Sequence, residues 1–145
     1  MSKSDFKETR FPSFPEVASD SPIEIAAGQR WQVLCGDHRS WRIGVFSPEK
    51  SSAEECVELE KHTCPELFLL LDGRLTLVLA RNREIVKLPL ELGKPVLVRA
   101  PHAGFCPDGP HSGRALVVER DEFDTEYRPA ADWLREQTLT IKAKE

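Results

Sequence analysis

The sequence predicts an all-β domain, an antiparallel sandwich or barrel, and three observations predict it. Short apolar runs recur about every 8 to 12 residues through the middle of the chain. Several alternate apolar with polar residues, the period of two that turns one face of a strand inward. Gly, Asp, Asn and Pro stand between the runs, where turns belong.

Residues 1–22 hold Pro12, Pro15 and Pro22 among Ser, Asp and Glu. That composition resists regular structure and predicts an extended N-terminal arm, packed on the domain or on a second subunit. Strands are expected at 23–28 (IEIAAG), 30–36 (RWQVLCG) and 40–48 (SWRIGVFSP). In the second of these Trp31, Val33 and Cys35 share a face, and in the third Trp41, Ile43 and Val45 do. Further strands follow at 56–62, 66–71, 75–80, 85–92, 95–101 and 114–120, with breaks at Asp72-Gly73, Arg81–Glu84 and Gly93-Lys94. Arg81–Glu84 reads as the tip of a hairpin. Leu67–Leu71 is apolar on both faces, so that strand should be covered on both sides, inside a barrel or beneath a subunit interface. Beyond Glu119 comes an acidic, aromatic stretch with Phe123 and Tyr127. Pro129 then opens a short C-terminal helix over Ala130–Gln137, carrying Trp133 and Leu134. The last residues, TLTIKAKE, fit a final strand or a frayed tail. The expected organisation is an arm at 1–22, a barrel at 23–128, and a helix and tail at 129–145.

Composition narrows the partners. With 145 residues, 40% hydrophobic and 30% charged, the chain has the balance of one soluble domain. A net charge of −4 with both signs interspersed offers no continuous basic field, which argues against nucleic acid. The longest apolar run, Leu67–Leu71, is far short of the ~18–20 residues of a membrane span, and the polar N-terminal segment does not resemble a secretory signal. A cytoplasmic location is expected. Cys35, Cys56, Cys64 and Cys106 form no CxxC pair, so reduced thiols are expected, with a Cys64–Cys106 bridge as the alternative. No GxxxxGK[ST] or GxGxxG loop, GxSxG elbow or HExxH helix occurs.

Glu60, His62, Glu66 and Gly73 are spaced as Glu-x-His, three residues, Glu, six residues, Gly. This resembles the first cupin motif, His-x-His-x3-Glu-x6-Gly, with Glu60 in place of the first His. Gly93, seven residues, Pro101, four residues and Cys106 resemble the second, with Ala103 in place of a Gly and Cys106 in place of the His. The resemblance spans residues 30 to 120 and implies an antiparallel double-stranded β-helix, the jelly-roll barrel. It further implies a ligand set of Glu60, His62, Glu66 and Cys106 for a divalent ion, Zn, Fe, Mn or Ni. Glu60 and His62, two apart on a strand, face the same way. Imidazole and carboxylate suit such ions, and a thiolate would shift the preference toward softer ones.

Three uses of this cluster stay open from the sequence. It holds a metal, or His62 and Glu66 act as acid and base without one, or they are hydrogen-bonded residues with Cys106 a small buried hydrophobe. His102 and His111 fall in a Gly/Pro-rich segment read as a solvated loop near the mouth; folded over the mouth, His111 would supply the ligand that Cys106 does not. His38 reads as a surface residue. The functions that follow are an enzyme, a small-molecule binding module with Phe68, Leu70, Val98 and Trp41 lining the barrel, or a structural homodimer with a filled barrel. The enzyme would be a metal-dependent dioxygenase or isomerase, or a metal-free isomerase similar to those acting on sugar nucleotides. The two-sided apolar strand and the proline-rich arm both suit a symmetric dimer.

Overall fold

Alternation along the chain becomes two antiparallel sheets laid face to face. The computed structural model describes residues 4–144, the last seven by backbone alone. Its strands are β1 (Asp5–Thr9), β2 (Trp31–Gly36), β3 (Trp41–Phe46), β4 (Glu58–His62), β5 (Glu66–Asp72), β6 (Thr76–Arg81), β7 (Glu84–Pro89), β8 (Val96–Val98), β9 (His102–Phe105), β10 (Arg114–Arg120) and β11 (Phe123–Pro129), followed by α1 (Ala130–Lys144). One sheet runs β1-β11-β4-β9-β6-β7 and the other β2-β3-β10-β5-β8. Most sequence neighbours in the second half of the chain therefore lie in opposite sheets, which is the winding of a jelly roll.

The inward faces meet in one apolar core. Phe68 and Leu70 from β5, Leu77 and Leu79 from β6, Val98 from β8, and Ala115 and Val117 from β10 pack together there. A second cluster lies behind the first sheet, where Trp133 of α1 packs with Leu59, Val78 and Ala80 and donates Nε1–H to the Leu59 carbonyl at 3.0 Å. The strand covered on both faces is thus β6, between the core and α1. The sequence had suggested β5 for that role. In β5 Phe68 and Leu70 point inward, while Leu67, Leu69 and Leu71 are half-buried on the outer face.

Turn chemistry behaves as read at two sites. β6 and β7 form a hairpin with Arg81 opposite Glu84, and Asn82 and Arg83 both take positive φ, the two-residue turn whose twist matches its strands. Gly73 ends β5 at φ +67, and a Cβ there would run into the Ser112 carbonyl. Gly73→Ala is expected to lower stability by about 1–3 kcal/mol, read as a lower urea midpoint with an unchanged slope. A midpoint equal to wild type would refute it.

Five segments depart from expectation, the first being the acidic, aromatic stretch after Glu119, which holds β11. Residues 23–28 form no strand, because the Gln32 side chain takes their backbone groups, bonding Ala26 N at 2.8 Å and the Glu24 carbonyl at 3.3 Å. β1 falls within the stretch read as an arm and pairs with β11 through five residues. The supposed loop after Pro101 contains β9, and TLTIKAK continues α1. All four cysteines are free. Among the described residues no helix is long and apolar enough to cross a membrane.

Candidate metal centre

Three strands bring the site together, and strand register does most of the work. On β4, Glu60 and His62 point to the same side, and Glu60 is the direct partner of His102 on neighbouring β9. Glu66 opens β5 in the facing sheet, with only three residues between it and the end of β4, so the short crossover carries its carboxylate over the mouth. The result is a cluster of Glu60, His62, Glu66 and His102 whose ligand atoms all lie within 4.8 Å of one another.

Glu66 Oε1 sits at its centre, 2.7 Å from His62 Nε2 and 2.8 Å from His102 Nε2. Glu60 Oε1 lies further off, 3.5 Å from His62 Nε2 and 3.7 Å from His102 Nε2. Although close, the three central atoms do not meet at hydrogen-bond angles: Glu66 Oε1 and both Nε2 atoms are buried without a hydrogen-bond partner among the described residues. Orphaned buried polar atoms are rare because each costs the full desolvation of its group. Two imidazole nitrogens and a carboxylate oxygen converging in this way fit a divalent cation.

The outer nitrogens of the rings are anchored. His102 Nδ1 lies 3.0 Å from the Ala100 carbonyl and must donate to it, which leaves the Nε2 lone pair facing the cluster in the neutral ring. His62 Nδ1 lies 2.7 Å from the Thr125 hydroxyl, and Thr125 is the strand partner of His62 on β11. Such outer contacts orient metal-binding histidines.

Charge balance explains the titration behaviour of the metal-free cluster. Burial pushes the His62 pKa down, but the Glu60 and Glu66 carboxylates outweigh it and raise it to about 10. His102 is also raised, burial again being overcome by Glu66. Burial would raise Glu66, yet the two imidazoles hold it well below the usual carboxylate range, and Glu60 is lowered for the same reason. Without a metal the two carboxylates therefore favour the protonated form of both imidazoles. A divalent cation replaces the two protons at the same total charge.

A cavity of about 150 Å³ opens beside the cluster. Trp31, Phe46, Phe68 and Phe123 form its apolar walls. A Cβ on Gly44 would collide with the Trp31 ring, so glycine there lets the indole lie across the sheet. Arg42 and Glu119 form a buried ion pair in the wall at 3.0 Å. Burial and the Glu66 charge raise the Glu119 pKa to about 8 despite Arg42.

Of the four expected ligands, the structure brings together Glu60, His62 and Glu66 and leaves Cys106 out. Cys106 packs in the apolar core, and its Sγ lies 3.3 Å from the Gly113 amide. It shares the parity of His102 but lies four residues further on, about 13 Å along an extended chain. It lies on the inward side, in the core, but not at the level of the cluster. His102, read as a loop residue, takes the fourth position. His111 does not reach the cluster, since its Nδ1 lies 2.7 Å from the Ser47 carbonyl, and His38 is exposed against the Phe11 ring. Of the expected cavity lining only Phe68 contributes: Leu70 and Val98 are in the packed core, and Trp41 is 40% exposed on the outside.

No family model and no curated protein matches the sequence. Solved structures do resemble the fold. Hydroxypropylphosphonic acid epoxidase from S. wedmorenis matches at TM-score 0.50 and 15% identity, over 79% of this chain and 62% of that one. A second structure of the epoxidase, its Fe(II) form with an alternative substrate, matches at 0.50 and 16% over 72% of this chain. This chain spans 62% of the length of that second one too, somewhat under two thirds. A cupin-2 domain protein from Shewanella frigidimarina NCIMB 400 matches at 0.49 and 13%, over 66% of this chain and 84% of that one. The jelly-roll winding and the likeness to the epoxidase structures together show that the chain has the cupin fold.

Proposed function

We propose that this protein binds a divalent metal ion through Glu60, His62, Glu66 and His102 and takes a small molecule into the adjoining cavity. The observation that carries the reading is the convergence of three buried, hydrogen-bond-orphaned ligand atoms on one point. A set of two imidazoles and two carboxylates, with no thiolate, suits Fe(II), Mn(II), Ni(II) or Zn(II). The epoxidase structures of the same fold carry Fe(II) or Co(II), which makes Fe(II) the first ion to try. Such an ion supplies Lewis acidity or, as Fe(II), redox chemistry.

The chain's own residues do the rest. Ala100 and Thr125 fix the two imidazoles, and Glu66 bridges the sheets so that its oxygen stays between them. Glu60, the most distant and most exposed of the four, is the ligand best placed to yield its position to an incoming molecule. Phe68 and Phe123 keep bulk water from the buried side. The cavity itself favours this reading over a filled structural barrel.

Purified protein exposed to one equivalent of Fe(II), Mn(II) or Zn(II) and then dialysed is expected to retain about one ion per chain. At 100-fold excess over the dissociation constant, binding contributes about 2.7 kcal/mol and raises the melting temperature by several degrees. Elemental analysis and thermal melts read both. Protein that retains no ion and melts unchanged sinks the metal reading.

A further inference from the structure

We infer that the metal-loaded cavity selects a small organic carboxylate, held between the metal position and the guanidinium of Arg42. This rests on the metal reading above and names the class of molecule that the site accepts.

Arg42 is a buried cation in the cavity wall, its side chain 10% exposed. Its Nε donates to Glu119 at 3.0 Å and its Nη1 to the Ser13 carbonyl at 2.9 Å, while Nη2 makes no hydrogen bond among the described residues. The Trp31 and Phe123 rings lie 5.8 and 5.1 Å from the guanidinium carbon and hold its plane. A fixed guanidinium with a spare donor is suited to a planar carboxylate.

Phe123 also ties this cation to the metal cluster. The His62 ring centre is 5.1 Å from the Phe123 ring centre, and so is the Arg42 guanidinium carbon, so no more than about 10 Å separates the two. A molecule spanning that gap is short. Volume agrees, since a cavity of about 150 Å³ is the size that holds benzene, and so admits about six non-hydrogen atoms.

Charge selects the sign. A divalent ion offsets Glu60 and Glu66 when both imidazoles are neutral. Around the rest of the lining, Lys7, Arg30, Arg42 and Lys50 face three further carboxylates. The loaded cavity is thus net positive by at least one charge, and its low-dielectric aromatic walls concentrate that field on an entering anion.

The test uses the full-length protein loaded with Mn(II), its metal content measured before any titration. Malonate and its neutral analogue malonamide are then titrated calorimetrically, with metal content measured again afterwards. Malonate is expected to bind at least about tenfold more tightly than malonamide, and Arg42→Gln to lose at least about tenfold in malonate affinity while keeping its metal. Arg42→Gln leaves Glu119 buried without its partner, so the double variant R42Q/E119Q, with a neutral amide pair, is measured alongside and should show the same loss. Equal binding of the two probes, no malonate binding to metal-loaded wild type, or undiminished binding by the folded variant overturns the inference and leaves the metal reading standing. Absence of metal before titration overturns both.

Discussion

His102→Ala is expected to cost this protein about a hundredfold or more in affinity for a divalent ion, while Cys106→Ala leaves that affinity unchanged. The magnitude has a floor. Loss of a residue that merely orients a metal-binding histidine costs roughly 10–100-fold, and His102 Nε2 is itself one of the three converging atoms. Its removal also leaves Glu66 with one imidazole in place of two, in a site where the carboxylate is 5% exposed. Cys106 is excluded by position, being enclosed in the apolar core with its sulfur facing the Gly113 amide. Competition against a chelator of known affinity gives both constants, and elemental analysis after dialysis gives the stoichiometry. The assignment fails if Cys106→Ala releases the metal and His102→Ala, correctly folded, does not.

The contrast between these two residues shows what was legible in the sequence. Most strands announced themselves: β2, β3, β4, β8 and β10 all lie within predicted runs, and the Glu60-x-His62 spacing gave the shared face directly. β9 was hidden because Ala103 and Gly104 are weak strand formers and Pro101 and Pro107 bracket the segment. Its pairing comes from neighbours, with Glu60 opposite His102 and Thr76, Leu77 and Val78 opposite Phe105, Gly104 and Ala103. Tertiary context overrode local propensity there. The parity of His102, Gly104 and Cys106 was nonetheless readable, and it marks His102 as an inward residue at the Pro101 end of the strand.

β11 was missed for a different reason. Its charged residues, Asp124 and Glu126, drew attention to an acidic stretch, yet Phe123, Thr125 and Tyr127 alternate with them and all three line the cavity. The period of two was present. In β1 no such signal exists, because a short edge strand that is almost wholly exposed buries little and has no face to encode. Conversely, residues 23–28 alternate but have no partner strand to pair with, and alternation alone does not make one.

Metal-free and metal-loaded protein are expected to respond differently to pH, the first losing stability as pH rises and the second losing less, and the difference is large. His62 has an ordinary pKa of 6.5 and is held at about 10 in the folded, metal-free chain. A raised folded value means that the folded state binds the proton more tightly. The stabilisation is therefore complete below pH ~6.5 and is lost as pH rises through about 10. Glu119, raised from 4.5 to about 8 by burial and by Glu66, acts in the same sense, since between those values the folded state holds a proton that the unfolded chain has released. Glu66 has the opposite sign, but its depressed value confines the loss of its contribution to pH below ~4.5. Above that point the metal-free cluster loses stability steadily with rising pH. Metal binding must displace the protons on His62 and His102, so its apparent affinity rises with pH, by about tenfold per unit for one proton released and up to about 100-fold for two, until the imidazoles are neutral. Thermal melts of chelator-treated and Mn(II)-loaded protein at pH 6, 7, 8 and 9 should diverge, the first falling and the gap between them widening. A constant gap across that range would mean that the ion does not compete with the His62 and His102 protons, and so is not bound at their Nε2 atoms.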